Sequence, residues 1–226
     1  VYDTVTVETF QQAVRVVVVD DHPITQRGLM RELSTQPDLN MIAAFNTIES
    51  LLSNLAGLHP DVILLDLALP ILPLIQCIHD IFKHALELDI TPYPRIVLYS
   101  VSRDALLIAL TIEAGAYGYL HQSHDVDALS SMIRDAVRGV PFSSDVLTQA
   151  QADPSVRGYL KLTRAERGVL SSLVKSGARN DAIADVRDTA TSTVKKHMSA
   201  IFAKLEVQNR AGAMALMLKN RLTEPL

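Results

Sequence analysis

The sequence predicts a doubly wound α/β domain with a five-stranded parallel sheet, followed by a small all-α domain. Three observations carry this prediction. Short continuous apolar runs, such as Val16-Val17-Val18-Val19 and Val62-Ile63-Leu64-Leu65, alternate five times with helix-period segments. Strands buried on both faces of a parallel sheet read as such runs. From Thr163 onward the apolar spacing is helical throughout. The charge also divides: residues 156–226 hold 13 Lys/Arg against 6 Asp/Glu, a formal +7, while the preceding 155 residues hold 8 against 19, a formal −11. An acidic first part and a basic second part indicate two modules with different partners.

Composition bounds the class. With 48% hydrophobic and 20% charged residues in a chain of 226, a packed core is expected and disorder is not. The single Cys77 excludes an intramolecular disulfide, fits a reducing compartment and reads as a small core residue. No run of about 18 apolar residues appears, and residues 1–12 lack the basic region and apolar core of a signal peptide. The expectation is a cytoplasmic protein with no membrane partner.

Residues 1–14 are an extension without clear period. Residues 15–19 form the first strand, ending on Asp20-Asp21. His22-Pro23 opens a helix, with Pro where no amide donor is needed. That helix is expected to run to about Gln36 with Ile24, Leu29 and Leu33 inward. Residues 40–45 and 62–65 read as the second and third strands, and 48–58 as the second helix. The third helix spans 74–88, with Ile75, Ile78 and Phe82 on one side. A fourth strand at 95–99 and helix at 103–114 follow. The turn at Gly115-Ala116 leads into a fifth strand, and 126–137 is the fifth helix. Alternating strands and helices of this kind make a parallel sheet.

Chemistry is expected at the carboxyl ends of the strands. Alone, Asp66 favours an ordinary strand-end carboxylate that caps or turns the chain. Asp20 and Asp21 at the end of the first strand and Ser100 at the end of the fourth change that balance. Carboxylates converging on one crevice repel and raise one another's pKa. A hard divalent cation relieves this, and Mg²⁺ favours a few carboxylates with waters and phosphate oxygens. A carboxylate beside Mg²⁺ is a good phosphoryl acceptor. No GxGxxG or GxxxxGK[ST] sequence supports a dinucleotide or P-loop site.

Val19-Asp20-Asp21-His22-Pro23, Leu64-Leu65-Asp66-Leu67 with Pro70, Val97-Leu98-Tyr99-Ser100 and Gly115-Ala116-Tyr117-Gly118-Tyr119-Leu120 resemble a response-regulator receiver domain, of the flavodoxin-like fold. The particular likeness is to the NarL group, in which a receiver is joined to a LuxR-type helix-turn-helix. The resemblance covers about residues 15–140. It implies Asp66 as phosphoacceptor, Asp20, Asp21 and Asp66 with the Ala68 carbonyl as ligands of Mg²⁺, Ser100 as the switch hydroxyl and Tyr119 as the switch aromatic. Two positions depart from the pattern. Gln122 stands where the family carries a Lys that contacts the phosphoryl oxygens, so a hydrogen-bond donor remains without its charge. Ile71-Leu72-Pro73-Leu74 replaces the usual glycines after Pro70. His121 and His124 read as exposed loop histidines rather than substitutes for the Lys.

Residues 141–160 read as a short helix, 145–151, and a linker containing Pro154 and Gly158. The basic domain, 161–226, begins at Thr163, which with Glu166 makes a capping box. Gly177 stops that helix, 180–186 is a second, Thr191 opens a third, and 210–220 is a fourth. A helical domain with a cationic helix start suits helix-turn-helix binding of double-stranded DNA; charge alone equally fits a basic interaction domain. Leu162-Thr163, Glu166, Val169-Leu170, Gly177, Asn180, Ile183-Ala184, Thr193-Val194-Lys195, His197, Lys204-Leu205, Val207 and Arg210 resemble the LuxR-type signature. That likeness implies Lys195 and Lys196 at bases or phosphates, Ser199 one turn on, Thr191 and Thr193 at backbone phosphates, and Ala213, Leu216 and Met217 in a dimerisation helix. One residue is inserted before Gly177, and Arg187 and Thr189 replace apolar anchors, so a distorted turn with Val186 filling the core is expected.

Two functions follow. One is a DNA-binding transcription regulator, a homodimer whose phosphoryl group comes from a sensor histidine kinase or phosphotransfer protein. The other is a phosphorylation-independent receiver that acts by associating with another regulator. A phosphatase is disfavoured, because the position two residues after Asp66 is Ala68 rather than an acid.

Overall fold

The structure is a computed structural model that describes residues 12–66, 72–103, 105–142, 148 and 152–219, with the backbone alone for 72–74, 105, 106, 155 and 219. The Ala68 carbonyl, the loop after Asp66 and, apart from Thr148, the expected helix at 145–151 lie outside the described residues.

The first domain comprises β1 (Val14–Val19), α1 (Pro23–Leu33), β2 (Leu39–Phe45), α2 (Ile48–Leu58), β3 (Val62–Leu65), α3 (Leu72–Glu87), β4 (Arg95–Ser100), α4 (Ala105–Glu113), β5 (Gly118–His121) and α5 (Val126–Arg138). The five strands are parallel in the order β2-β1-β3-β4-β5. The apolar runs form central strands because both faces are covered: Val16–Val19 and Val62–Leu65 are at most 1% exposed. One face packs under Leu51, Leu55, Ile78 and Ile108, the other under Leu29, Leu33, Leu129 and Ile133. Strand order reverses between β1 and β3, where Val19 pairs with Leu65. The next residue on each strand, Asp20 and Asp66, therefore opens onto the switch-point crevice.

The second domain comprises α6 (Pro154–Leu160), α7 (Arg164–Ser176), α8 (Asn180–Val186), α9 (Thr191–Lys204) and α10 (Arg210–Lys219). The capping box at α7 forms as expected: the Thr163 Oγ1 accepts from the Glu166 amide at 3.3 Å, and the Glu166 carboxylate accepts from the Thr163 amide at 2.7 Å. Gly177 closes α7 in the left-handed region at φ 59°.

Five expectations are corrected. The first strand already includes Val14, and α1 ends at Leu33, where Ser34 and Thr35 turn their hydroxyls onto the Met30 and Glu32 carbonyls. Ile24 is 77% exposed; five positions before Leu29, it lies about 140° around the helix from the buried stripe. The supposed linker around Pro154 is the helix α6. Pro154 suits its first turn, Val156 and Tyr159 bury one turn apart, and Gly158 is a close approach, since a Cβ there would collide with the Lys204 carbonyl. Val186 is 81% exposed and fills no core. The chain instead ends α8 with Asp188 at φ 47° and a Thr189 amide bond to the Ala184 carbonyl at 3.0 Å, while the Arg187 guanidinium lies over Gly168.

The domains share a core. Ile75 of α3 and Ala109 and Leu110 of α4 join Val156, Tyr159, Leu162 and Leu170 in one apolar cluster. Arg167 of α7 crosses this junction. It pairs with Glu113 at 3.2 Å, donates to the Leu160 carbonyl at 3.2 Å and sits 5.3 Å from the centroid of the Tyr159 ring. Among the described residues, no helix is long and apolar enough to cross a membrane.

Candidate functional sites

The crevice at the ends of β1 and β3 gathers Asp20, Asp21, His22 and Asp66, each with one ligand atom within 4.8 Å of the others. Asp20 and Asp66 are buried, at 2% and 5% exposure, while Asp21 and His22 are open to solvent. The Asp66 amide donates to the Val19 carbonyl at 3.1 Å, which holds the two strand ends side by side. The Gln26 carboxamide secures the same corner by bonding to the Asp20 and Phe45 carbonyls. Burial pushes the Asp20 pKa up, and the neighbouring Asp66 charge adds to this, against the His22 amide that donates to it at 2.7 Å. The His22 Nδ1 lies 2.8 Å from Asp21 and 3.2 Å from Asp20, and the Asp21 charge, followed by the Asp20 hydrogen bond, raises the His22 pKa.

Such an oxygen-rich, repelling set fits a hard divalent cation such as Mg²⁺. Along the chain His22 reads only as a helix opener. Its place beside two Asp neighbours is the signal that points to the pairing.

The switch residues surround the end of β4. Ser100 is fully buried, and its Oγ accepts from the Ser102 amide at 3.3 Å. Tyr119 is turned inward at 3% exposure, with its hydroxyl donating to the Ser102 carbonyl and lying 3.3 Å from that of Ser100. Burial pushes its pKa up to about 12. Gln122 continues this corner: its amide donates to the Ser100 carbonyl at 3.0 Å and its side chain to the Tyr99 carbonyl at 3.2 Å. The carboxamide borders a cavity of about 320 Å³ between α1 and α5, with Thr25, Leu29 and Val126. His124 is exposed as expected, whereas His121 is half-buried at the end of β5 and engages Ser123 and Val101.

In the second domain, α9 buries Val194, Met198 and Ile201 and turns Lys195, Lys196 and Ser199 to solvent. Thr191 and Thr193 are half-exposed on its first turn. This leaves a cationic helix face accessible to a polyanion. On α10, Ala213 and Met217 are buried in the domain's own core, at 0% and 1% exposure. Leu216 is half-buried against the same core, and Leu218 is 55% exposed.

Comparison with known proteins gives the family. Residues 16–134 match the response regulator receiver domain, and residues 160–217 match the bacterial regulatory proteins of the luxR family. The chain is a NarL/LuxR-type response regulator. It is similar to the nitrate/nitrite response regulator NarL of Escherichia coli K12, 27% identical over 94% of this chain and 98% of that protein. It is also similar to the transcriptional regulatory protein YhcZ of Bacillus subtilis, 31% identical over 92% and 97%. Among solved structures, an RcsB–DNA complex superposes with a TM-score of 0.61 at 19% identity, covering 92% and 98% of the two chains. RcsB of Salmonella enterica bound to the P1flhDC promoter gives 0.64 at 20% identity, covering 91% and 98%. As a NarL/LuxR-type regulator the chain is a two-component DNA-binding transcription regulator.

Proposed function

We propose that Asp66 accepts a phosphoryl group and that this event controls DNA binding through Lys195 and Lys196. The observation that supports this most is the convergence of Asp20, Asp21, His22 and Asp66 at the switch point of a chain that also carries an exposed cationic helix. Asp20 and Asp21 would hold Mg²⁺ together with Asp66 and the Ala68 carbonyl. Bound there, the ion would offset the carboxylate charge and align the donor phosphate. Ser100 offers its hydroxyl at the end of β4, and inward Tyr119 is the aromatic that reports the change. Phosphorylation then biases the two-state β4–α4–β5 region.

The phosphodonor is a sensor histidine kinase or phosphotransfer protein. The DNA-bound species is a homodimer on a two-fold symmetric site, with α10 as the dimerisation helix, where half-buried Leu216 lies beside Ala213 and Met217, which anchor the helix to its own core. Thr191 and Thr193 contact backbone phosphates, while Lys195, Lys196 and Ser199 reach further into the groove. The protein acts in the cytoplasm.

The test is incubation of the full chain with a small phosphodonor and Mg²⁺, followed by intact-mass measurement. The chain is expected to gain one phosphoryl group that Asp66→Ala does not. Equal labelling of the two proteins overturns the assignment. The alternative, a phosphorylation-independent receiver that associates with another regulator, rests on Gln122. Matches in both domains favour the DNA-binding regulator instead.

A further inference from the structure

A phosphoryl group on Asp66 would replace that carboxylate's single charge by about −1.5 to −2, beside the two carboxylates of Asp20 and Asp21. A divalent ion offsets only part of this, so a further cation is required close by. Gln122 does not supply it. Its side chain is uncharged, donates to the Tyr99 carbonyl at 3.2 Å and borders the cavity between α1 and α5. His22 is already engaged by Asp20 and Asp21, at 3.2 and 2.8 Å.

Arg103 stands on the loop that follows Ser100. The strand that ends there pairs on one side with β3, where Asp66 follows Leu65, and on the other with β5, which carries the Tyr119 phenol. The phenol is in turn tied to the Ser100 and Ser102 carbonyls of the same loop. The Arg103 Nε donates to the His121 Nε2 at 3.2 Å. That acceptor is an imidazole nitrogen, a weaker partner for a guanidinium than an anionic phosphoryl oxygen. The Arg103 side chain is exposed and can turn to the stronger acceptor.

We propose that Arg103 is the cation that binds the phosphoryl oxygens on Asp66, in the place left uncharged by Gln122. Arginine suits this task because its planar fork presents two donors to two phosphate oxygens. The contact then ties phosphorylation to the residues that follow β4 without any charge on β5. The inference rests on Asp66 being the phosphoacceptor.

The experiment uses the full chain with acetyl phosphate and Mg²⁺, following phosphoryl uptake and loss by intact mass. Arg103→Ala is expected to lower the uptake rate at least tenfold, and Arg103→Lys to recover part of it. Gln122→Lys placed in the Arg103→Ala background is expected to restore uptake, a result that a merely structural role for Arg103 would not give. Thermal unfolding of Arg103→Ala is expected to match wild type, because the side chain is exposed. Wild-type uptake in Arg103→Ala overturns this inference and leaves the Asp66 assignment standing. Absence of uptake by wild type, or uptake undiminished in Asp66→Ala, overturns both.

Discussion

Both domains bury carboxylates, and they do so with opposite consequences. In the receiver, Asp20 and Asp66 lie side by side, with the His22 imidazole 3.2 Å from Asp20, and the Asp20 pKa is raised. In the DNA-binding domain, Glu166 is 6% exposed and meets the Lys204 ammonium at 2.7 Å. Burial alone would raise its pKa too, but the Lys204 bond and the Thr163 amide outweigh it, and the pKa is lowered. Glu166 carries its own counter-ion and closes a helix cap, so its charge is stabilising. The receiver carboxylates are packed against one another, which opposes folding and favours a ligand that brings positive charge. The direction of the shift follows the partner: Lys204 holds Glu166 down, and burial beside Asp66 pushes Asp20 up.

The comparison breaks most visibly at Asp66. Asp66→Asn is expected to abolish phosphoryl uptake while leaving urea stability unchanged or raised, because it removes one of two repelling charges. A drop in stability would contradict the receiver half of the comparison. Next in size is DNA binding. Replacing Lys195 and Lys196 together by Ala is expected to weaken binding more than tenfold. The slope of log affinity against log salt should fall by about one for each phosphate that is no longer neutralised. A filter-binding titration at several salt concentrations in which neither quantity changed would remove the α9 face as the DNA surface.

Glu166→Gln tests the other half, with an expected destabilisation of about 1–3 kcal/mol from the missing charge-assisted bonds, read from urea midpoints. Asp20→Asn should move stability the opposite way. The smallest effect is in pH. Because the folded pKa of Glu166 is depressed, its contribution is fully present above the unfolded value and drains away as pH falls through the folded one. Wild type is expected to lose stability below about pH 4 more steeply than Glu166→Gln, as checked by thermal melts across acid pH.

Much of the fold and the site is legible in the residues. The capping box at Thr163 and Glu166, the stop at Gly177 and the buried strands at 16–19 and 62–65 depend on neighbours within a few positions. Local patterns of that kind survive in any fold. What stays illegible depends on distant partners. Tyr159 and Val156 make α6 a helix because they find the Leu162 and Leu170 core, and Gly158 is needed only because the Lys204 carbonyl arrives there. Ile24 belongs to an apolar pattern that α1 does not bury. Val186 closes α8 about 200° around the helix from buried Ala184, and so faces solvent.

For the site itself, the sequence determined which residue types stand at the ends of β1, β3 and β4, since a strand's apolar run marks its own end. It also determined that a charged helix would follow in a separate basic domain. The tertiary structure decided which ends become neighbours, because strand order is set by how helices cover the sheet and not by order in the chain. It also decided that the Gln122 carboxamide bonds to Tyr99, that Arg103 reaches the His121 imidazole, and that Glu113 of α4 meets Arg167 of α7. Those three arrangements join residues 23, 18 and 54 positions apart along the chain. No local period encodes such pairs; they form only when the surfaces that carry them have packed.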